Sequence, residues 1–368
     1  MKPVTQELLR QAAAAFAFDR PAGEAERFGA GHINDTFAVW AADRSKRWIL
    51  QRINTDTFTD PAGLMENVTG VTAYLRRQII ERGGDPDRET LNVIPTLDGK
   101  PYYTDTEGGA WRAYIFVEGT VCLQKVENER DFYTAAETFG NFQNQLAGYP
   151  AATLHETIAR FHDTPNRYAN FEKALAADVM GRAKDVGPEI AFIRAREADC
   201  RVLVDQLAAG VLPLRVTHND TKLNNIILDK QTGEGLCVID LDTIMPGLAL
   251  NDYGDSIRFG ATTAAEDEPD LSKVHFDLPL YAAYTRGYLE AAGEALTAAE
   301  KENLPWGAKL MTLECGIRFL TDYLQGDTYF KIHRPGQNLD RCRTQFKLVA
   351  DMEREWEAMH EVVRAGGR

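Results

Sequence analysis

Cysteine is scarce in this sequence and widely dispersed. Only five of the 368 residues are cysteines, and no two of them have the C-x-x-C spacing of structural zinc sites or redox motifs. The dispersed thiols favour a reducing compartment and argue against structural zinc. Basic residues are also in deficit, 41 against 55 acidic residues, for a formal net charge of −14. An acidic surface repels nucleic-acid phosphates and anionic lipid headgroups, so we expect neither nucleic acid nor membrane as a partner.

Long apolar runs are absent as well. The run at residues 12–18 is too short to span a bilayer and follows two charged residues, Glu7 and Arg10. It is typical of an amphipathic helix rather than of a signal peptide, so we expect a cytoplasmic protein. The sequence G-x-x-x-x-G-K-[ST] of a Walker-type P-loop is also missing. Gly29 and Gly31, between two short β-like runs, are instead the turn expected to place backbone N–H groups over nucleotide phosphates.

Residues 216–242 carry the clearest functional pattern. A short apolar strand leads to His218 and Asp220, Asn225 follows, and a hairpin predicted over residues 226–239 ends at Asp240. Because a hairpin returns the chain towards its start, we expect Asp220, Asn225 and Asp240 in one small volume. Magnesium takes oxygen ligands, usually one or two carboxylates plus phosphates. A further carboxylate orients the attacking hydroxyl in phosphoryl transfer. The pattern therefore predicts a kinase that uses ATP and Mg²⁺.

The string H-N-D-T-K-L-N-N at residues 218–225 resembles the H-x-D-x-K-x-x-N catalytic loop of protein kinases, and Ile239-Asp240 resembles their metal-binding D-F-G strand. Asp242 replaces the glycine of D-F-G, and no A-P-E sequence follows. Both departures are typical of small-molecule kinases with the protein-kinase fold, such as aminoglycoside phosphotransferases and choline kinases. The resemblance implies an α+β, bilobal fold, with a small antiparallel β-sheet lobe at residues 1–118 that binds the nucleotide and a larger, mainly helical catalytic and substrate-binding lobe at residues 119–368.

The resemblance also implies roles for the residues of this segment. Asp220 would accept or orient the proton of the acceptor hydroxyl, and Asn225 and Asp240 would hold magnesium. Lys222 would stabilise phosphate charge. Asp242 would add either a metal ligand or a supporting contact.

The same resemblance assigns nucleotide-binding roles in the N-terminal lobe. Arg52 stands in the place of the kinase lysine that meets the α- and β-phosphates, although a solvated strand arginine is the alternative. Glu66, near the start of a helix predicted at residues 61–81, is expected either to pair with Arg52 or to be exposed. The strand predicted at residues 110–117 runs into the implied hinge. Its adenine-pocket candidates are Tyr114, Phe116, Val117 and Glu118.

Periodicity outlines the remaining structure. It predicts strands at residues 48–54 and 93–97, and helices at residues 131–145, 154–159, 171–183, 190–208, 276–292, 298–319 and 339–363. Asp252 and Asp255 are expected at the start of another helix, where an acidic side chain would accept hydrogen bonds from the backbone of the catalytic loop. His162, in a loop predicted at residues 161–165, is either a base or, more in keeping with its place beside Asp163, a structural residue.

Several longer strings resemble N-acetylhexosamine 1-kinases, among them H-N-D-T-K-L-N-N, D-Y-G-D-S-I-R-F-G and G-I-R-F-L-T-D-Y-L. This resemblance implies transfer to the anomeric hydroxyl of GlcNAc or GalNAc, with a sugar as the small-molecule partner. Arg318, Asp322 and Tyr329 are the implied sugar-binding residues, although Arg318 and Asp322 could instead form a helix-surface ion pair. A choline, homoserine or aminoglycoside kinase and a non-catalytic nucleotide-binding scaffold are the alternatives.

Overall fold

The computed structural model describes residues 3–29, 31 and 33–367. The helices are α1 Gln6–Ala14, α2 Pro61–Glu81, α3 Glu129–Gln145, α4 Thr164–Ala177, α5 Gly187–Arg194, α6 Val202–Ala208, α7 Ala249–Gly260, α8 Leu278–Ala292, α9 Ala298–Glu302, α10 Leu304–Gln325, α11 Gln337–Arg354 and α12 Trp356–Gly366. The strands are β1 Ala22–Arg27, β2 Asp35–Ala41, β3 Arg47–Arg52, β4 Val93–Ile94, β5 Tyr103–Thr104, β6 Ala110–Ile115, β7 Thr120–Val121, β8 Arg215–Thr217, β9 Ile226–Asp229, β10 Gly235–Val238 and β11 Met245–Gly247. Among the described residues, no helix combines the length and apolarity that a membrane span requires.

The chain forms two compact units. The first contains the described residues up to Val121 together with Gly148–Ala159 and Ile227–Met245. The second contains Cys122–Ala147, Arg160–Ile226 and the described residues from Pro246 onwards. Of the residues singled out in the sequence, Asp240 therefore belongs to the first unit, whereas Asp220 and Asn225 belong to the second.

The first unit is built on an antiparallel sheet in the order β1-β2-β3-β6-β4, with β5 also paired to β6. Successive residues of a strand point to opposite faces of a sheet. One face packs against α1 and forms a hydrophobic core. That core includes Leu9, Ala12, Phe16, Phe37, Val39, Trp48, Leu50, Trp111 and Ala113. The opposite face is polar near its end, because Arg112 Nε donates to Gln51 Oε1 (3.0 Å) and Gln51 Nε2 donates to Thr36 Oγ1 (2.9 Å).

Helix α2 has the bounds predicted from the sequence. Asp60 caps its N-terminus by accepting the Gly63 N–H (3.0 Å), and Pro61 occupies its first turn, where a missing N–H costs no helical hydrogen bond. The hairpin β9–β10 is also confirmed. Asp229 accepts the N–H groups of Gln231 and Thr232 at its turn, and β9 additionally pairs with β7.

The second unit is mainly helical, with α3 packed against α8 and α10 packed against α7 and α11. Helices α7 and α10 cross at Gly254 and Gly307. A Cβ atom added to Gly254 would lie 2.2 Å from the Gly307 carbonyl oxygen, so this approach requires glycine. The consequence for the site is that α7, which carries Asp252 and Asp255, is fixed against the longest helix of the unit.

One predicted helix, at residues 154–159, is wrong. Asn67 of α2 binds both backbone groups of His155: its Oδ1 accepts the N–H (2.9 Å), and its Nδ2 donates to the carbonyl oxygen (2.8 Å). The same Nδ2 donates to the Ile244 carbonyl oxygen (2.9 Å). The buried Asn67 side chain thus occupies the backbone N–H and carbonyl groups of His155 that a helix would have used for its own hydrogen bonds. The periodicity of the sequence does not reveal a partner so distant along the chain.

Four other predicted helices differ clearly in their limits or are divided. The helix predicted at residues 171–183 starts earlier, because Asp163 caps α4 and Pro165 lies in its first turn, so residues 164 and 165 are helical rather than in a loop. It ends at Asp178 in the left-handed region (φ 34°). The helix predicted at residues 190–208 is divided into α5, a 3₁₀ turn and α6, and the one predicted at residues 339–363 is divided at Glu355. The helix predicted at residues 298–319 is divided at Asn303 into α9 and α10, and α10 continues to Gln325.

Candidate active site

The catalytic loop of the second unit is held by one carboxylate. Asp252, in the first turn of α7, accepts the backbone N–H groups of His218 (2.8 Å) and Asn219 (2.7 Å). Burial raises the pKa of Asp252, and the charge of His218 and these two N–H groups act against that rise. Asn219 adopts a left-handed conformation (φ 64°), which asparagine tolerates better than most residues. The expectation that Asp252 supports the loop backbone is confirmed.

We expect Asp252→Ala to lower the free energy of unfolding by roughly 1–3 kcal/mol for each buried N–H left without an acceptor. Asp252→Asn keeps one acceptor oxygen and should recover part of the loss. Urea unfolding measures both. Asp270→Ala is the matched control, because Asp270 also accepts a backbone N–H, from Ser272 (3.1 Å), but at an exposed position. Equal losses in Asp252→Ala and Asp270→Ala would show that the loop does not depend on this carboxylate.

Asp220, Lys222 and Asn225 converge within the second unit. Lys222 Nζ lies 2.6 Å from Asp220 Oδ1, and Asn225 Nδ2 donates to the Asp220 carbonyl oxygen (2.8 Å) and to its Oδ2 (3.2 Å). Burial acts to lower the pKa of Lys222, but the carboxylates of Asp220 and Asp255 outweigh it and raise that pKa. The amine is therefore a cation beside a carboxylate that remains 28% exposed. This arrangement can receive a hydroxyl proton and stabilise negative charge.

Each of the two predicted magnesium ligands, Asn225 and Asp240, carries an oxygen donor of the kind that magnesium prefers. Asn225 commits its Nδ2 to Asp220, and no group among the described residues donates to its Oδ1. Asp240, in the first unit, lies two residues after the end of β10 and has a left-handed conformation (φ 61°). Across residues 3–29, 31 and 33–367, no three histidine, cysteine or acidic side chains form a metal-binding cluster. Magnesium does not need one, because one or two oxygen side chains and the phosphates usually hold it.

Asp242 has a supporting contact within the first unit rather than an open carboxylate. Arg112 forms a buried ion pair with its Oδ1, and Asn34 Nδ2 donates to its Oδ2 (2.6 Å). Thr157 Oγ1 donates to its carbonyl oxygen (3.0 Å). Burial acts to lower the pKa of Arg112, but Asp242 outweighs it and raises that pKa. Sequence reasoning missed Arg112, although an arginine inside the apolar run A-W-R-A-Y-I is itself a sign of a buried charge pair.

Arg52 lies on the opposite face of the sheet from Arg112. Its Nη2 lies 2.6 Å from Asp35 Oδ2, and its guanidinium carbon lies 5.9 Å from the ring of Trp111, a residue of the α1-facing core. Arg52 is 6% exposed, so the alternative of a solvated strand arginine is wrong. Of the two alternatives for Glu66, the pair with Arg52 is wrong and the exposed position is confirmed. Glu66 instead lies 2.7 Å from His155 Nε2.

The remaining nucleotide candidates also lie in the first unit. Gly29 has a positive φ of 76°, and a Cβ at Gly29 or Gly31 would meet nothing within 4 Å, whereas Ala30 and His32 of this turn lie outside the described residues. Tyr114 is buried, and burial raises its pKa.

At the implied hinge, the guanidinium carbon of Arg47 lies 3.7 Å from the centroid of the Phe116 ring. Two nitrogens of the same guanidinium donate to the Glu118 carboxylate (2.8 and 2.9 Å). Val117 is buried, and its carbonyl oxygen accepts from the Thr120 hydroxyl (2.8 Å). Their nucleotide contacts stay predictions.

The three implied sugar-binding residues are near one another in the second unit, with different environments. Asp322 is 2% exposed and accepts the backbone N–H groups of Thr328, Tyr329 and Phe330 at 2.8–3.0 Å. It therefore anchors the turn after α10, and the ion pair with Arg318, given as the alternative to sugar binding, is not formed. The Arg318 guanidinium instead lies 5.9 Å from the ring of Tyr329, which is 64% exposed.

His162 has the structural environment that its position suggested. Its Nδ1 lies 2.8 Å from Glu314 Oε1, and the Thr164 hydroxyl donates to the other oxygen of Glu314 (2.7 Å). Burial acts to raise the pKa of Glu314, but His162 and Arg318 outweigh it and lower that pKa. No pattern in the sequence pointed to Glu314, which stands on α10 far from residue 162 along the chain.

An antiparallel sheet unit, a helical unit and a loop built on Asp220, Lys222 and Asn225 define a kinase-like phosphotransferase. A model of the phosphotransferase enzyme family matches residues 24–295, more than half of the chain, and the chain belongs to that family. It has the α+β protein-kinase-like fold of that family.

Solved structures agree on the fold. A spectinomycin phosphotransferase in complex with ADP and spectinomycin aligns with a TM-score of 0.54, 13% identity and 99% coverage of both chains. An aminoglycoside phosphotransferase from Alicyclobacillus acidocaldarius aligns at 0.59 and 12% identity, over 99% of this chain and 96% of that one. A choline kinase from Cryptosporidium parvum aligns at 0.51 and 14% identity, over 91% and 90% of the two chains. These structural alignments establish the fold, but at such low sequence identity they do not identify the acceptor.

Proposed function

We propose that this phosphotransferase uses ATP and Mg²⁺ to phosphorylate the anomeric hydroxyl of an N-acetylhexosamine, GlcNAc or GalNAc. The observation that carries the kinase assignment is the contact of Asp220 with Lys222 and Asn225 in a loop whose backbone is bound by Asp252. The sugar is supported by the resemblance of strings such as D-Y-G-D-S-I-R-F-G and G-I-R-F-L-T-D-Y-L to those of N-acetylhexosamine 1-kinases.

In this proposal Asp220 receives the proton of the acceptor hydroxyl while the hydroxyl oxygen attacks the γ-phosphorus of ATP, whose bond to the bridging oxygen breaks so that ADP leaves. Lys222, held as a cation by its neighbouring carboxylates, stabilises the negative charge that develops. Asn225 Oδ1 and the Asp240 carboxylate would hold Mg²⁺. When bound, the ion neutralises charge on the nucleotide phosphates. Positioning and electrostatic stabilisation, without a covalent intermediate, would then account for the rate.

An acceptor screen tests the proposal. ADP release should be fast with GlcNAc or GalNAc and slow with glucose, choline, homoserine and an aminoglycoside. Phosphorus NMR of the product should show an anomeric phosphate ester. Turnover of choline or an aminoglycoside with the sugars inert would replace the sugar assignment. The absence of ADP release with every acceptor would leave a non-catalytic nucleotide-binding protein.

A further inference from the structure

The ion pair that kinases form between a strand lysine and a helix glutamate has no direct counterpart in this sheet unit. Arg52, which stands at the lysine position in the sequence, lies on the sheet face that packs against α1 and pairs with Asp35. Glu66 of α2, the candidate for the helix glutamate, is exposed and lies beside His155. Neither half of the kinase pair is therefore in its usual place.

A row of polar side chains crosses the other face of the sheet. Thr36, Gln51 and Arg112 are directly opposite one another on β2, β3 and β6. Gln51 Nε2 donates to Thr36 Oγ1 (2.9 Å), and Arg112 Nε donates to Gln51 Oε1 (3.0 Å). The β3 member of this row, where a lysine would face the same side, is therefore a glutamine. The cation stands one strand away, at residue 112.

The row ends on the segment that carries the predicted metal ligand Asp240. Arg112 is 1% exposed and forms its ion pair with Asp242 Oδ1. The other oxygen of Asp242 accepts from Asn34 Nδ2 (2.6 Å), and Asn34 Oδ1 accepts the Asn54 N–H (2.9 Å). Asn34 follows the glycine turn that is expected over the nucleotide phosphates and immediately precedes β2. One carboxylate thus links that turn, the sheet and the metal segment.

The charge of Arg112 extends beyond its direct partner. Burial acts to lower the pKa of Arg112, but nearby groups, Asp242 foremost and Asp240 among them, outweigh burial and raise that pKa. Replacing both partners of a buried ion pair by neutral side chains often costs a protein little stability. The Arg112–Asp242 pair is therefore better explained by what it positions than by the stability it adds. Because Arg112 has almost no exposed surface, any effect on a ligand passes through Asp242.

We propose that Arg112, on β6, replaces the β3 lysine of kinases, as a positioning residue that does not itself contact the phosphates. Through Asp242 it holds residues 240–242 and the glycine turn in the arrangement that binds the phosphates and Mg²⁺ of the nucleotide. Gln51 orients its guanidinium. The inference rests on the use of a magnesium nucleotide in the proposed function and does not depend on which acceptor is phosphorylated.

Calorimetric titration with Mg²⁺–ADP and with adenosine tests the proposal. The double variant Arg112→Met with Asp242→Asn removes both charges together, so it should stay folded. We expect its Kd for Mg²⁺–ADP to rise roughly 10–100-fold, the usual cost of losing a group that orients metal ligands. Its Kd for adenosine, which has no phosphate to share with the ion, should change by less than about threefold.

Gln51→Leu tests the same point with the ion pair intact. It removes only the acceptor of Arg112 Nε and the donor to Thr36, so the variant should fold even if the double variant does not. We expect its Kd for Mg²⁺–ADP to rise by roughly three- to tenfold, the effect of one hydrogen bond. Its Kd for adenosine should remain that of the wild type.

Arg196→Met is the matched control. Arg196 also forms an ion pair through two nitrogens, with Glu353 (2.9 and 2.6 Å), but it lies in the second unit. Its variant should bind Mg²⁺–ADP like the wild type. If wild-type protein binds Mg²⁺–ADP and the folded variants at residues 51 and 112 keep its Kd, or lose adenosine affinity to the same degree, the role of Arg112 is overturned while the proposed function stands. If wild-type protein binds no Mg²⁺–ADP, the proposed function fails first, and this inference fails with it.

Discussion

Replacing Asp220 by asparagine should lower kcat by roughly 10²–10⁴, the usual contribution of a positioned general base. The variant preserves the shape of the side chain and its contact with Asn225, but it cannot take up the proton of the acceptor hydroxyl. It also leaves Lys222 without the carboxylate that lies 2.6 Å from its amine. The KM for the nucleotide should change much less, because the proton is transferred from the acceptor. Steady-state kinetics with the best acceptor of the screen measures both quantities.

The control for this variant is Asp277→Asn. Asp277 also lies in the second unit, where it caps α8 by accepting the Leu280 N–H (2.9 Å), a role that asparagine fulfils equally well. Circular dichroism should show both variants folded. A kcat for Asp220→Asn within threefold of wild type would mean that another group receives the proton, and the reading of the H-N-D-T-K-L-N-N loop would be wrong.

The catalytic loop was predictable because its chemistry is local in sequence. Asp220, Lys222 and Asn225 fall within six residues, and the strand before them and the hairpin after them have ordinary signals. Helix α2 was predictable for a similar reason, since Asp60 and Pro61 mark its start and Gly83 and Gly84 follow its end. In both cases the residues that carry the signal are neighbours along the chain, although the backbone of the catalytic loop is also held by Asp252, 34 positions after His218.

The failures share a different cause, which is that the deciding partner is distant along the chain. The backbone at His155 is held by Asn67, a residue 88 positions earlier. The face on which Arg52 lies depends on which side of the sheet meets α1. Burial does alternate along β3, with Trp48, Leu50 and Arg52 on the buried face, but the residue types of W-I-L-Q-R do not alternate between apolar and polar, so the sequence does not show which side that is. Asn34, Arg112 and Asp242 are likewise joined only by the fold.

Arg112→Met should lower the free energy of unfolding by about 3–5 kcal/mol, because it leaves the Asp242 carboxylate buried without its cation. Arg112 and Asp242 side chains are 1% and 4% exposed, so solvent cannot replace the lost partner. Urea unfolding followed by tryptophan fluorescence measures the change, since Trp48 and Trp111 are buried in the same sheet.

Two further variants separate the ion pair from the mere loss of a buried arginine. Arg112→Met combined with Asp242→Asn removes both charges and should recover much of the stability, since the cost lies in the unpaired carboxylate. Arg52→Met removes a comparably buried arginine on the other face, but Asp35 keeps Arg27 at 2.7 Å and is more exposed, so the loss should be smaller. Equal losses for Arg112→Met and Arg52→Met, with no recovery in the double variant, would contradict this account. If Arg112→Met loses more stability than Arg52→Met, and the double variant recovers it, then Arg112 holds the segment that carries Asp240 and Asp242. The resemblance to kinases points to Arg52, at the position of the kinase lysine, and does not identify Arg112.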